Sequence, residues 1–104
     1  MNSIPHISIC ICTYRRPALL EPILQSLAKL ETRGLFSFSV VVADNDREQS
    51  GRSVVEKVQR EEAIEIKYCV EPEQNIALVR NRALANARGD FVAFIDDDEY
   101  PVSD

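Results

Sequence analysis

With 104 residues, 11.8 kDa and 45% hydrophobic side chains, the chain has material for one globular core and none for a second domain. Its formal net charge of −5 is concentrated: residues 1 to 95 hold all 12 Lys and Arg and 12 of the 17 acids, so the excess lies in Asp96, Asp97, Asp98, Glu99 and Asp104. That distribution excludes the broad basic face of a nucleic-acid binder, and no apolar run approaches the ~20 residues of a bilayer-spanning helix.

His6 to Cys12 alternates isoleucines with Ser8, Cys10 and Cys12, so both faces are apolar or small, as in a central strand covered on each side. After Thr13-Tyr14-Arg15-Arg16, Pro17 fits the first turn of a helix, with Leu20, Ile23, Leu24 and Leu27 at helical spacing. Pro22 should loosen the first turns of this helix. Leu30 closes its apolar stripe, and Gly34 is the expected stop. Phe36 to Ala43 reads as a second strand that runs into Asp44-Asn45-Asp46. A modest helix follows, with Ser50 or Ser53 as its cap and Val54, Val55 and Val58 as its buried face.

Ile64 to Val70 is a third strand whose alternation with Glu65 and Lys67 marks a partly wet edge. Glu71 to Asn75 is a connection, and Ile76 to Arg88 is an Ala-rich helix ended by Gly89. Arg88-Gly89-Asp90 is read as a helix-to-strand turn rather than as an adhesion motif. Phe91 to Ile95 is then a fourth, buried strand that stops at the acidic run. Alternating strands and helices imply an α/β fold with a mainly parallel sheet, right-handed crossovers and flanking helices. With the wet third strand at an edge, the simplest order is 3-2-1-4, a Rossmann-like half that gathers the strand ends on one rim.

Four adjacent carboxylates repel one another and require water, a cation or basic partners. In an open α/β sheet, ligands bind at the carboxyl ends of strands, which makes this rim the candidate site. An Asp-x-Asp spacing supplies hard oxygen donors for Mg²⁺ or Mn²⁺, and Arg80, with Arg15 or Arg16, can offer charge-assisted hydrogen bonds to phosphate. Asp44 could accept from a base N–H, and Tyr14 could border a base. None of the three glycines lies in a dinucleotide or P-loop pattern. Three cysteines, Cys10, Cys12 and Cys69, with no secretory leader pattern, suggest a reducing, cytoplasmic setting. They lack C-x-x-C spacing and are read as core thiols rather than, with His6, a zinc site.

Four ordered motifs carry a resemblance: Ile9-Cys10-Ile11-Cys12-Thr13-Tyr14-Arg15-Arg16-Pro17, Val41-Val42-Ala43-Asp44-Asn45, Asn75 with Arg80-Asn81, and Phe94-Ile95-Asp96-Asp97-Asp98. Together they resemble the inverting family 2 glycosyltransferases with the GT-A fold, including enzymes that build bacterial exopolysaccharides such as succinoglycan. The family often has Asn where Arg15 stands and Gly where Ile76 stands.

The resemblance implies a nucleoside diphosphate sugar as donor, a saccharide or lipid-linked acceptor and a divalent cation, Mn or Mg. It implies nucleotide-sugar contacts from Thr13, Tyr14, Arg15, Asp44, Arg80, Asp96 and Asp97, with Asp96 and Asp98 at the metal. Because such enzymes are more than twice this length, residues 1–104 are expected to be the donor-binding part, cut soon after the Asp-x-Asp motif and inactive alone. The general base is expected downstream, so no catalytic residue is nominated. The expected location is cytoplasmic, at the inner face of the plasma membrane, with peripheral membrane association and no nucleic-acid partner. The alternatives are a non-catalytic sugar-nucleotide-binding or assembly module and, further off, a receiver-type phosphoacceptor domain.

Overall fold

The computed structural model describes residues 4–96, Asp96 by its backbone. Four strands, β1 (His6–Thr13), β2 (Ser37–Asp44), β3 (Ile66–Val70) and β4 (Phe91–Asp96), alternate with α1 (Pro17–Ala28), α2 (Arg52–Glu62) and α3 (Ile76–Asn86). All strand pairings are parallel and the order is β3-β2-β1-β4. This is the expected half-Rossmann order. It differs from the receiver-type order 2-1-3-4-5, in which the first strand lies between the second and third.

Strand alternation divides the core. Ile9, Ile11, Val40, Val42 and Ile66 face α1 and α2, where they pack with Leu20, Ile23, Leu24, Leu27, Val54, Val55 and Val58. On the opposite face, Cys10, Val41 and Ala43 meet Val79 and Ala83 of α3. Lys57 Nζ and Glu21 Oε2, 2.8 Å apart, tie α2 to α1 at the surface.

Several local expectations change. α1 runs through Pro22 to Ala28. An interior proline costs about 3 kcal/mol, but burying Leu20, Ile23, Leu24 and Leu27 contributes about 1.5–3 kcal/mol for each side chain, which offsets it. The helix ends before Leu30, which is exposed, and Gly34 turns the following loop at φ 76°. Gly51, not Ser50 or Ser53, stands at the cap of α2, and having no side chain it supplies no capping group of its own.

β3 is an edge strand, as its alternation implies, but starts two residues later than expected, at Ile66. α3 likewise stops at Asn86, with Ala87 already extended. The turn into β4 is anchored to β1: the buried Ser8 hydroxyl donates to the Arg88 carbonyl and accepts from the Arg88 amide, and Asp90 exchanges hydrogen bonds with the His6 backbone. Gly89 has φ 100°, and a Cβ there would stand 2.7 Å from the His6 carbonyl oxygen, so this turn requires glycine.

β4 corrects the expectation of a buried strand. It lies at the sheet edge with β1 as its neighbour, and Phe91, Val92 and Phe94 are 61%, 41% and 37% exposed. Its apolar composition suits a covered strand, yet among the described residues no further strand pairs with its outer side.

Candidate functional site

Because every strand is parallel, the ends of β1, β2 and β4 share one rim. In register, Thr13 stands beside Asp44 and Cys12 beside Asp96. α3 starts at the same rim, where Asn75 accepts the Ala77 and Leu78 amides on its side-chain oxygen at 2.9 and 3.1 Å.

Two adjoining clefts open there. The larger, about 420 Å³, is lined by Thr13, Tyr14, Arg16, Asn45, Asn75 and Arg80, among others. The smaller, about 350 Å³, is bordered by Tyr14, Arg15, Asn45, Asp46, Glu73 and Gln74, among others. Tyr14, Asn45 and Gln74 line both. Arg80 lies in the first turns of α3, its guanidinium carbon 5.2 Å from the centre of the Phe94 ring, so it links helix and edge strand at the cleft wall.

The two arginines after Tyr14 diverge. Arg16 faces the larger cleft. Arg15, in the left-handed region at φ 51°, lies over the Tyr14 ring at 5.2 Å and pairs with Asp46 at 3.5 Å in the smaller one. The nearby Ser50 hydroxyl and the Glu48 amide hold the Asp46 carboxyl below the usual carboxylate range, and Arg15 adds to this.

Asp44 stands apart from the cleft linings and is fully buried on the α1/α2 side of the sheet. Its Oδ2 accepts the Gly51 amide at 2.9 Å and the Tyr68 hydroxyl at 2.6 Å, and its Oδ1 accepts the Asp46 amide at 3.0 Å. Burial, with the bond to Asp44 next, pushes the Tyr68 hydroxyl's pKa up, so Tyr68 remains a donor. Asp44 therefore fastens the turn after β2 to α2 and β3.

Asn45 holds the rim position instead. Its Nδ2 donates to the Glu71 and Glu73 carbonyls at 2.9 and 2.8 Å, and its Oδ1 accepts the Asn75 amide at 3.1 Å. Sequence reasoning assigned no role to Asn45 or Gln74. The signal was in the alternation: Val40, Val42 and Asp44 share one face, Val41, Ala43 and Asn45 the other.

Thr13, Tyr14, Arg15 and Arg80 are thus brought to the rim, together with the backbone of Asp96. The Asp96 side chain, Asp97 and Asp98 lie outside the described residues. Among the described residues, no three His, Cys, Asp or Glu side chains form a group suited to a metal ion. Cys10 is buried between β1 and α3, and burial, with Cys69 nearby, pushes its thiol up to about 11. Cys12 and Cys69 are half-buried on the same face.

Comparison with known proteins bears on what this rim is. The chain is 47% identical, over 99% of its length, to the succinoglycan biosynthesis protein ExoM of Rhizobium meliloti, of which it covers 33%. Among solved structures, the mannosyltransferase PcManGT of Pyrobaculum calidifontis, in complex with GDP-Man and Mn²⁺, superposes with a TM-score of 0.77 at 23% identity. That match covers 97% of this chain and 30% of the other. S. aureus TarS 1-349, in complex with UDP-GlcNAc, gives a TM-score of 0.73 at 29% identity over 91% of this chain and 27% of that one. The chain thus spans about a third of these relatives. The model of the family described as Glycosyl transferase family 2 matches residues 8–104, nearly the whole chain, and the protein belongs to that family.

Proposed function

We propose that this chain forms the nucleotide-sugar-binding part of a metal-dependent, inverting glycosyltransferase, which moves a sugar from a nucleoside diphosphate sugar to a saccharide or lipid-linked acceptor. The observation that carries this reading is the larger cleft at the carboxyl end of β1, walled by Thr13, Tyr14, Arg16 and Arg80 and neighboured in register by Asp96. Tyr14, bordering both clefts, offers its ring to a base, while Arg16 and Arg80 offer planar donor forks to a diphosphate. Arg15 and Asp46 border the smaller cleft, where the outer part of the nucleotide would lie. The UDP-GlcNAc named with TarS supports a nucleotide sugar as ligand, and the likeness to a succinoglycan biosynthesis protein supports a role in exopolysaccharide assembly.

In this reading Asp96 and Asp97 sit near the ribose, and Asp96 and Asp98 would hold Mg²⁺ or Mn²⁺, for which carboxylate oxygens are suitable donors. Such a cation would supply positive charge against the departing diphosphate. No described residue is assigned as the general base. The proposed location is cytoplasmic, at the inner face of the plasma membrane, by peripheral association; among the described residues no helix is long and apolar enough to cross a membrane.

Calorimetric titration with UDP, GDP and TDP, with and without Mn²⁺, tests the reading on wild type and Asp98→Ala. One diphosphate should bind, more tightly with Mn²⁺, and Asp98→Ala should abolish the Mn²⁺ increment. Absence of binding for all three would refute the nucleotide site, and Mn²⁺-independent binding untouched by the substitution would refute the metal assignment.

A further inference from the structure

The segment from Glu71 to Asn75, which belongs to neither helix nor strand, borders both clefts: Pro72 and Glu73 line the smaller, Asn75 the larger and Gln74 both. Its first residue is fixed by the backbone, the Glu71 amide donating to the Asp44 carbonyl at 2.8 Å. Beyond that point Asn45 reaches it three times: Nδ2 to the Glu71 carbonyl at 2.9 Å, Nδ2 to the Glu73 carbonyl at 2.8 Å, and Oδ1 from the Asn75 amide at 3.1 Å. Both amide hydrogens and one oxygen lone pair of a single side chain are therefore spent on five residues of loop.

The consequence reaches further along the chain. Asn75, positioned by Asn45, is the residue whose side chain caps α3, and Arg80 follows little more than one turn later. A continuous set of hydrogen bonds thus runs from the end of β2 to the loop, to the helix cap and to the start of the helix bearing the cleft's arginine. Asn45 is itself 7% exposed, so water cannot readily replace its bonds. Aspartate has the same shape but no donor hydrogens at neutral pH. It would keep an acceptor for the Asn75 amide while setting a carboxylate oxygen against two carbonyl oxygens.

We propose that Asn45 is a positioning residue for nucleotide binding: it pins the 71–75 loop and, through Asn75, sets the helix start that places Arg80 at the cleft. The inference rests on the nucleotide reading above, but its geometric half can be measured without any ligand. Amide hydrogen exchange by NMR on the full chain would be compared for wild type, Asn45→Ala and Asn45→Asp, alongside titration with UDP, GDP and TDP.

In Asn45→Ala, the Asn75, Ala77 and Leu78 amides should exchange about tenfold faster, the worth of a lost hydrogen bond, while the β1 and β2 amides stay protected. Asn45→Asp, which keeps the acceptor, should retain protection at Asn75. Both variants should lose about tenfold in affinity for whichever nucleotide wild type binds. In Asn45→Ala, unchanged exchange at Asn75 and Ala77, acceleration spread evenly through β1 and β2, or faster loop exchange with full affinity would each overturn the proposal. Wild type that binds no nucleotide, with loop exchange still responding as expected, would overturn the nucleotide reading and leave the pinning established.

Discussion

Between the sheet and its α1/α2 cover, Ile11, Leu20, Leu24, Val42 and Val58 are shut off completely from solvent, and Asp44 is sealed among them with three donors. Across the sheet, α3 buries Val79 and Ala83 against Cys10, Val41 and Ala43, while Ala77, Arg80 and Ala85 remain exposed. The first face is built from large side chains in two helices and the second from small ones in a single helix. The thick face therefore carries most of the apolar burial that stabilises the fold. The thin face leaves room at its carboxyl rim for the clefts, walled largely by polar side chains.

Substitutions can break this contrast, and the largest effect belongs to the thick face. Leu24→Ala should cost about 2–5 kcal/mol in urea unfolding, with little change in nucleotide affinity for molecules that remain folded. Comparable loss of affinity at full stability would show that the two faces are not separate. Asp44→Asn comes next. It turns an amide toward donors that now meet a carboxylate, and about 1–3 kcal/mol of stability should be lost. If it instead removed nucleotide binding while the unfolding midpoint stayed put, Asp44 would be a ligand contact after all. Arg80→Ala should be smallest in stability, within about 0.5 kcal/mol, yet should weaken nucleotide binding about tenfold or more through loss of a charge-assisted donor. Equal loss of stability would make Arg80 a structural residue of the Phe94 contact.

Much of this was legible in the sequence because its signals are local and periodic. Isoleucines and valines at alternate positions mark β1 and β2, and Leu20, Ile23, Leu24 and Leu27 mark α1. The exposed Lys67 between Ile66 and Tyr68 marks the β3 edge, from which the strand order follows. Helix and strand ends were less legible. Ser50 and Ser53 have good capping chemistry, but the Gly51 amide is held by Asp44, and a Cβ there would come within 3.1 Å of that carboxylate. Propensity at one position lost to a contact seven residues away.

The sequence alone determined that this is one parallel α/β unit with carboxylate, arginine and tyrosine at its strand ends, since period-two and helical patterns need no knowledge of distant partners. It also contained, in the alternation of β2, the reason that Asp44 and Asn45 point to opposite faces. Only the tertiary structure decided what those faces meet: Tyr68 and Gly51 close over Asp44, whereas the 71–75 loop folds onto Asn45. It likewise separated Arg15 from Arg16, by turning the chain through a left-handed residue between Tyr14 and α1. Burial and hydrogen-bond partners are properties of segments brought together from far apart in the chain. For that reason residue types could name the rim's chemistry, but the packing assigned each side chain to the core, the wall or the cleft.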